Sequence, residues 1–136
     1  MSISQWVGLL AASVLALVIV FQVLLAVGRP LGAAAWGGRH VVLPPRLRWA
    51  SLASAGVLAL MTWVALARAD LVGPGSGPFV TRAATWLCAC LLLVNTIGNA
   101  ASTSPTERRI MTPTTLLLAI SFVALATSPA EPGAPS

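Results

Sequence analysis

The chain has 136 residues, of which 57% are hydrophobic and 8% charged. Soluble domains carry about 25% charged residues, and the mean hydropathy here is +0.90. A soluble enzyme, a disordered regulator and a disulfide-rich secreted domain are all excluded.

The eight basic residues are all Arg, and three acids accompany them. They leave four charge-free windows at 1–28, 49–67, 83–106 and 110–130. A membrane-spanning helix needs about 17–25 apolar residues, so each window is long enough. The net charge of +5 would suit a nucleic-acid partner. These Arg residues flank apolar segments instead, as membrane-flanking charges do, and no nucleic acid is expected.

The first helix is predicted over about 5–27, with Gln22 as its one strongly polar interior residue. Gly28 and Pro30 end it. The apolar run from Trp6 to Val27 is too long for a signal-peptide core, and no basic residue precedes it, so a retained helix is expected. The longest loop follows, over 28–48, punctuated by Gly37-Gly38 and Pro44-Pro45.

The second helix is predicted over about 49–67 and the third over 78–98, the latter opening on Pro78. The fourth, over about 105–127, has two candidate starts. Ser104-Pro105-Thr106-Glu107 matches a capping box, with Glu107 as its partner, and Thr112-Pro113 is a second cap-plus-Pro start. Either a short turn precedes the span or one helix continues past Pro113. The expectation is an all-α, four-helix transmembrane bundle forming one domain over 1–127. A disordered Pro-rich tail is expected over 128–136.

Small residues recur every fourth position at Gly8, Ala12 and Ala16, and again at Ser51, Ala55 and Ala59. Such stripes allow close helix approach in lipid. Cys88 and Cys90, two apart on a helix, point to different sides and are not expected to bridge.

Asn95, Asn99 and Ser102 fall on one face of the third helix or its extension. Two readings stand: hydrogen bonding between helices, or a polar site joined by Gln22 for a small solute or a headgroup. His40 stands alone, with no acid or Cys cluster to complete a metal site. No cofactor, metal site or catalytic residue is expected, since paired titratable groups are missing from the spans.

The loops 28–48 and 98–112 share one side and carry six Arg, against Arg68 and Arg82 on the other. The positive-inside rule puts the six in the cytoplasm and both termini outside. Trp6, Trp63 and Trp86 then fall in the outer third, with Trp36 and Trp49 at the inner face. Arg39, His40, Arg46, Arg48, Arg108 and Arg109 would face the inner leaflet. There they either anchor the chain or contact an anionic lipid headgroup or a partner protein, at about 1 kcal/mol per Arg.

Two motifs, Trp36-Gly37-Gly38-Arg39-His40 and Leu43-Pro44-Pro45-Arg46-Leu47-Arg48, precede Asn95, Asn99 and Glu107-Arg108 before Pro113. With these the chain resembles, over residues 28–127, a group of small uncharacterised four-helix bacterial membrane proteins. No activity comes with that resemblance. The Arg-rich, Lys-free composition suits a GC-rich, actinobacterial genome and hence a bacterial cell membrane. Small multidrug transporters are similar only in size and helix count. The acid that their first helix carries is missing from the first helix here, which argues against a cationic-drug antiporter.

The expectation is therefore a non-enzymatic structural or accessory membrane protein, acting through lipid, a membrane-protein partner or its own oligomer. The alternative is a subunit of a small-solute transporter or channel, with Asn95, Asn99 and Gln22 in its polar path.

Overall fold

The computed structural model describes residues 1–73, 75 and 77–130. It holds four α-helices: α1 (Ile3–Ala26), α2 (Pro45–Arg68), α3 (Phe79–Ala100) and α4 (Pro105–Thr127). No strand occurs among the described residues. All four helices are long and apolar enough to cross a membrane. Their 22 to 24 residues correspond to about 33–36 Å, against a hydrocarbon core of about 30 Å. The chain is thus an all-helical, multi-pass membrane protein.

Local chemistry sets the helix ends. α1 starts two residues earlier than the charge pattern suggests, because Ser2 and Gln5 form a capping box. Ser2 Oγ accepts from the Gln5 N–H at 3.2 Å, and Gln5 Oε1 accepts from the Ser2 N–H at 3.0 Å. α2 starts at Pro45 rather than 49. Pro lacks an N–H, which a first helical position does not need, and Arg46 and Arg48 therefore belong to the first turn. α4 is one helix that runs from its Ser104 cap through Pro113.

Ser128, assigned to the tail by sequence, is the C-cap of α4, and its carbonyl accepts from Arg68 Nη2. Of the expected tail, residues 131–136 lie outside the described residues.

α1 pairs with α2 and α3 with α4, and the α1–α4 and α2–α3 contacts close the ring. The main core gathers Ala11 and Leu15 of α1, Val64 and Ala65 of α2, Cys88 and Leu92 of α3, and Leu118 and Phe122 of α4. These residues run from the end nearer the two termini to the middle of the bundle. At the opposite end Leu25, Ala35 and Leu43 form a second cluster, supported by Phe21 and Leu47. Between the two clusters burial lapses. No α3 residue after Leu92 is buried, and none on α4 between Glu107 and Leu118.

The small-residue stripes only half match the packing. Gly8 is buried so closely that a Cβ there would lie 2.5 Å from Ala69 Cβ, and Ser51 and Ala55 are buried on α2. Ala16 and Ala59 are exposed, and α1 buries Ala11 and Leu15 instead. Four residues turn a helix by about 400°, so a strict four-residue stripe drifts off the contact face. Alternating steps of three and four stay on it. Cys88 is buried, Cys90 is exposed, and both are free thiols.

Candidate intramembrane cavity at the Arg-rich end

A cavity of about 540 Å³ fills the gap between the two clusters. Asn95 and Asn99 of α3, Gln22 of α1 and Ser102 of the α3–α4 turn all line it. The structure therefore brings together the four polar residues singled out by sequence. Ser102 arrives from the turn, since α3 ends at Ala100.

The hydrogen bonds around the cavity orient its amides. Asn95 Nδ2 donates to the Leu91 carbonyl at 3.1 Å. A carbonyl only accepts, so the Asn95 amide must present its NH₂ end there. Asn99 Nδ2 lies 3.3 Å from Thr115 Oγ1, which donates its one proton to the Met111 carbonyl at 2.8 Å. Thr115 can then only accept from Asn99, which fixes that amide as well. Thr96 adds a 3.0 Å contact to the same hydroxyl, tying α3 to α4. Gln22 Oε1 is buried with no hydrogen-bond partner among the described residues.

The connection between α1 and α2 closes the end of the cavity. It folds into two 3₁₀ turns, Gly32–Ala34 and Trp36–Gly38, and closes on itself through the Gly32 N–H donating to the Val41 carbonyl at 2.9 Å. Trp36, Gly37 and Gly38 are three consecutive left-handed residues, with φ of 51°, 81° and 70°. A side chain in that region costs about 1 kcal/mol or more. Trp36 is held there by its indole Nε1, which donates to the fully buried Ser51 hydroxyl at 3.0 Å.

Glu107, 9% exposed, joins this loop to α4 and lines the cavity. The expected capping box forms only by half. Ser104 Oγ accepts from the Glu107 N–H at 3.3 Å, but the Ser104 N–H donates to Ser102 Oγ. The Glu107 carboxylate reaches elsewhere: its Oε2 accepts from the Gly37 N–H at 3.0 Å and from the Ser102 hydroxyl. Ser104 Oγ in turn donates to the Ala33 carbonyl. Glu107 and Trp36 are the site residues that sequence reasoning missed. The capping pattern masked the first, and the second read only as part of a loop motif.

The basic residues divide in two. Arg39, His40, Arg46, Arg108 and Arg109 are exposed around this end. Arg48 turns inward, its Nε donating to the Ala26 carbonyl at 2.8 Å, so it caps the C-terminus of α1. Arg108 Nη1 donates to the Ser102 carbonyl at 2.9 Å. A second hollow, an apolar groove of about 640 Å³, runs between α1 and α4 past Leu17, Leu31 and Ile110. Among the described residues no three His, Cys, Asp or Glu side chains come together to hold a metal. Comparison with known proteins finds no matching family model, no similar curated protein and no similar solved structure.

Proposed function

We propose that this is a non-enzymatic membrane protein that receives a small ligand in the cavity, as the solute-binding subunit of a carrier or channel. The observation that carries the reading is the hollow itself. Four helices pack tightly around the main core and leave a hollow between it and the second cluster, lined by Gln22, Asn95, Asn99 and Glu107. Asn99 does donate to Thr115 across the α3–α4 contact, yet both Asn amides line the hollow and their oxygen ends meet no donor among the described residues.

The test is native mass spectrometry of the chain released from its own membrane. Wild type should carry a small-molecule adduct. The double variant Asn95→Leu/Asn99→Leu should keep its helical content and lose that adduct. If the double variant merely lowers bundle stability and wild type carries no adduct, the two Asn residues serve packing and the proposal fails.

A second reading, an accessory protein working through lipid or a membrane-protein partner, draws on the apolar α1–α4 groove beside exposed Arg residues. A phospholipid-mass adduct kept by wild type and double variant alike would favour it.

For orientation we propose a bacterial cell membrane with both termini outside. Six Arg belong to the cavity end, while at the other end Arg68 is 2% exposed and bonded to Ser128, leaving Arg82 as the exposed cation. A C-terminal alkaline phosphatase fusion should be active and a C-terminal GFP fusion dark. The reverse pattern would invert the orientation.

A further inference from the structure

We infer that the cavity takes a small organic cation, an ammonium group on an apolar body. This inference rests on the cavity being a ligand site, and it names the class of ligand.

The first argument is an inventory of unused hydrogen-bonding atoms. Asn95 and Asn99 each spend one N–H on the protein, at Leu91 and Thr115, and their Oδ1 atoms meet no donor among the described residues. Glu107 receives both of its donors on Oε2, and its Oε1 has no hydrogen-bond partner among the described residues. Gln22 Oε1 also lacks a donor. The Trp36 indole N–H is already committed to Ser51. The wall thus offers these four oxygens as acceptors beside the remaining amide N–H groups of Gln22, Asn95 and Asn99, and an ammonium with its several N–H groups can take the acceptors.

The second argument is charge. Glu107 is the one ionisable group among the residues lining the cavity. None of the Arg residues lines it: Arg39, Arg46 and Arg109 are exposed to the surroundings, Arg48 is bonded to Ala26 and Arg108 to Ser102. A buried carboxylate held by a backbone N–H and a hydroxyl, with no ion pair among the described residues, attracts a cation more strongly than it would in water.

The third argument is the rest of the wall. Phe21 and Trp36 supply aromatic rings, whose faces attract ammonium groups. Val18, Leu58 and Leu92 supply apolar surface for the body of the ligand.

The test is calorimetric titration of the full chain in a neutral detergent with three probes of one shape: benzylammonium, benzyl alcohol and benzoate. Benzylammonium should bind saturably at one per chain, at least tenfold more tightly than benzyl alcohol, and benzoate should not bind. Glu107→Gln should reduce the affinity for benzylammonium to that for the alcohol. The preference of wild type among the probes decides the matter even if that variant fails to fold. Benzyl alcohol or benzoate binding as tightly as benzylammonium would overturn the cation assignment and leave a ligand site standing. Saturable binding by none of the three would overturn both.

Discussion

Gly32→Ala should open the loop at the Arg-rich end and lower stability by about 3 kcal/mol, the upper part of the range for overpacked sites. A Cβ on Gly32 would overlap the carbonyl oxygen of His40 and lie 2.9 Å from that of Val41. Both neighbours are backbone, so no rotamer change relieves the clash. Separating them breaks the Gly32 N–H to Val41 bond, and the Leu25–Ala35–Leu43 cluster loses its alignment with it.

Gly38→Ala should come close, since a Cβ there lies 2.6 Å from Ser104 Oγ at a φ of +70°. It would wedge the loop away from α4. Gly56→Ala is the control: a Cβ at Gly56 meets nothing within 4 Å, and Ala in a helix gains about 0.5–1 kcal/mol over Gly. Unfolding by sodium dodecyl sulfate titration, with hydrogen exchange over residues 32–43, separates these cases. Equal stability of Gly32→Ala and Gly56→Ala would show that the loop is not closed as described.

These loop residues also mark where reading the sequence stops. The four spans were legible because charge is excluded from the hydrocarbon core, so five Arg and two acids bracket the windows by themselves. The first turn of α2 was not legible in this way. Arg46 and Arg48 are charged and lie inside the helix, where they reach its polar end, so a charge-free window undercounts a helix that begins at the headgroups. The loop was read as a place where the chain turns. Its closure depends on a backbone contact between Gly32 and Val41 and on three left-handed residues in a row, and a pair of glycines in the sequence announces only the turn.

The site was half legible. Helical periodicity was enough to put Asn95 and Asn99 on one face, and Gln22 at a similar depth followed because α1 and α3 cross the membrane in the same direction. Which ends of the amides remain free was decided by Thr115 and Leu91, partners that periodicity does not supply. Glu107 satisfied a local pattern so well that its distant partner stayed hidden. The Gly37 N–H that takes its carboxylate is 70 residues earlier in the chain. Both arrangements satisfy the first turn of α4, since Ser104 caps it either way. What favours the distant one is that the half-buried Gly37 N–H would cost about 1–3 kcal/mol if left unpaired, whereas the Ser104 N–H has Ser102 Oγ at hand.

That balance predicts that Glu107→Ala and Glu107→Gln will part company. Alanine removes the acceptor for both the Gly37 N–H and the Ser102 hydroxyl, in a place where burial makes unpaired donors expensive. A loss of about 3 kcal/mol is expected, together with faster hydrogen exchange at residues 36–38. Glutamine keeps a carbonyl oxygen at nearly the same position, so both donors stay satisfied. It forfeits only the charge, including the favourable interaction of a carboxylate with the helix N-terminus, worth about 0.3–1 kcal/mol. Glu107→Gln should therefore stay folded, with its loop protected, and differ from wild type chiefly in what the cavity binds. If the two variants lose stability equally, the carboxylate holds the loop by charge rather than as a hydrogen-bond acceptor. If neither loses stability, the loop is held by the Trp36–Ser51 and Ser104–Ala33 bonds alone, and Glu107 is left to the ligand.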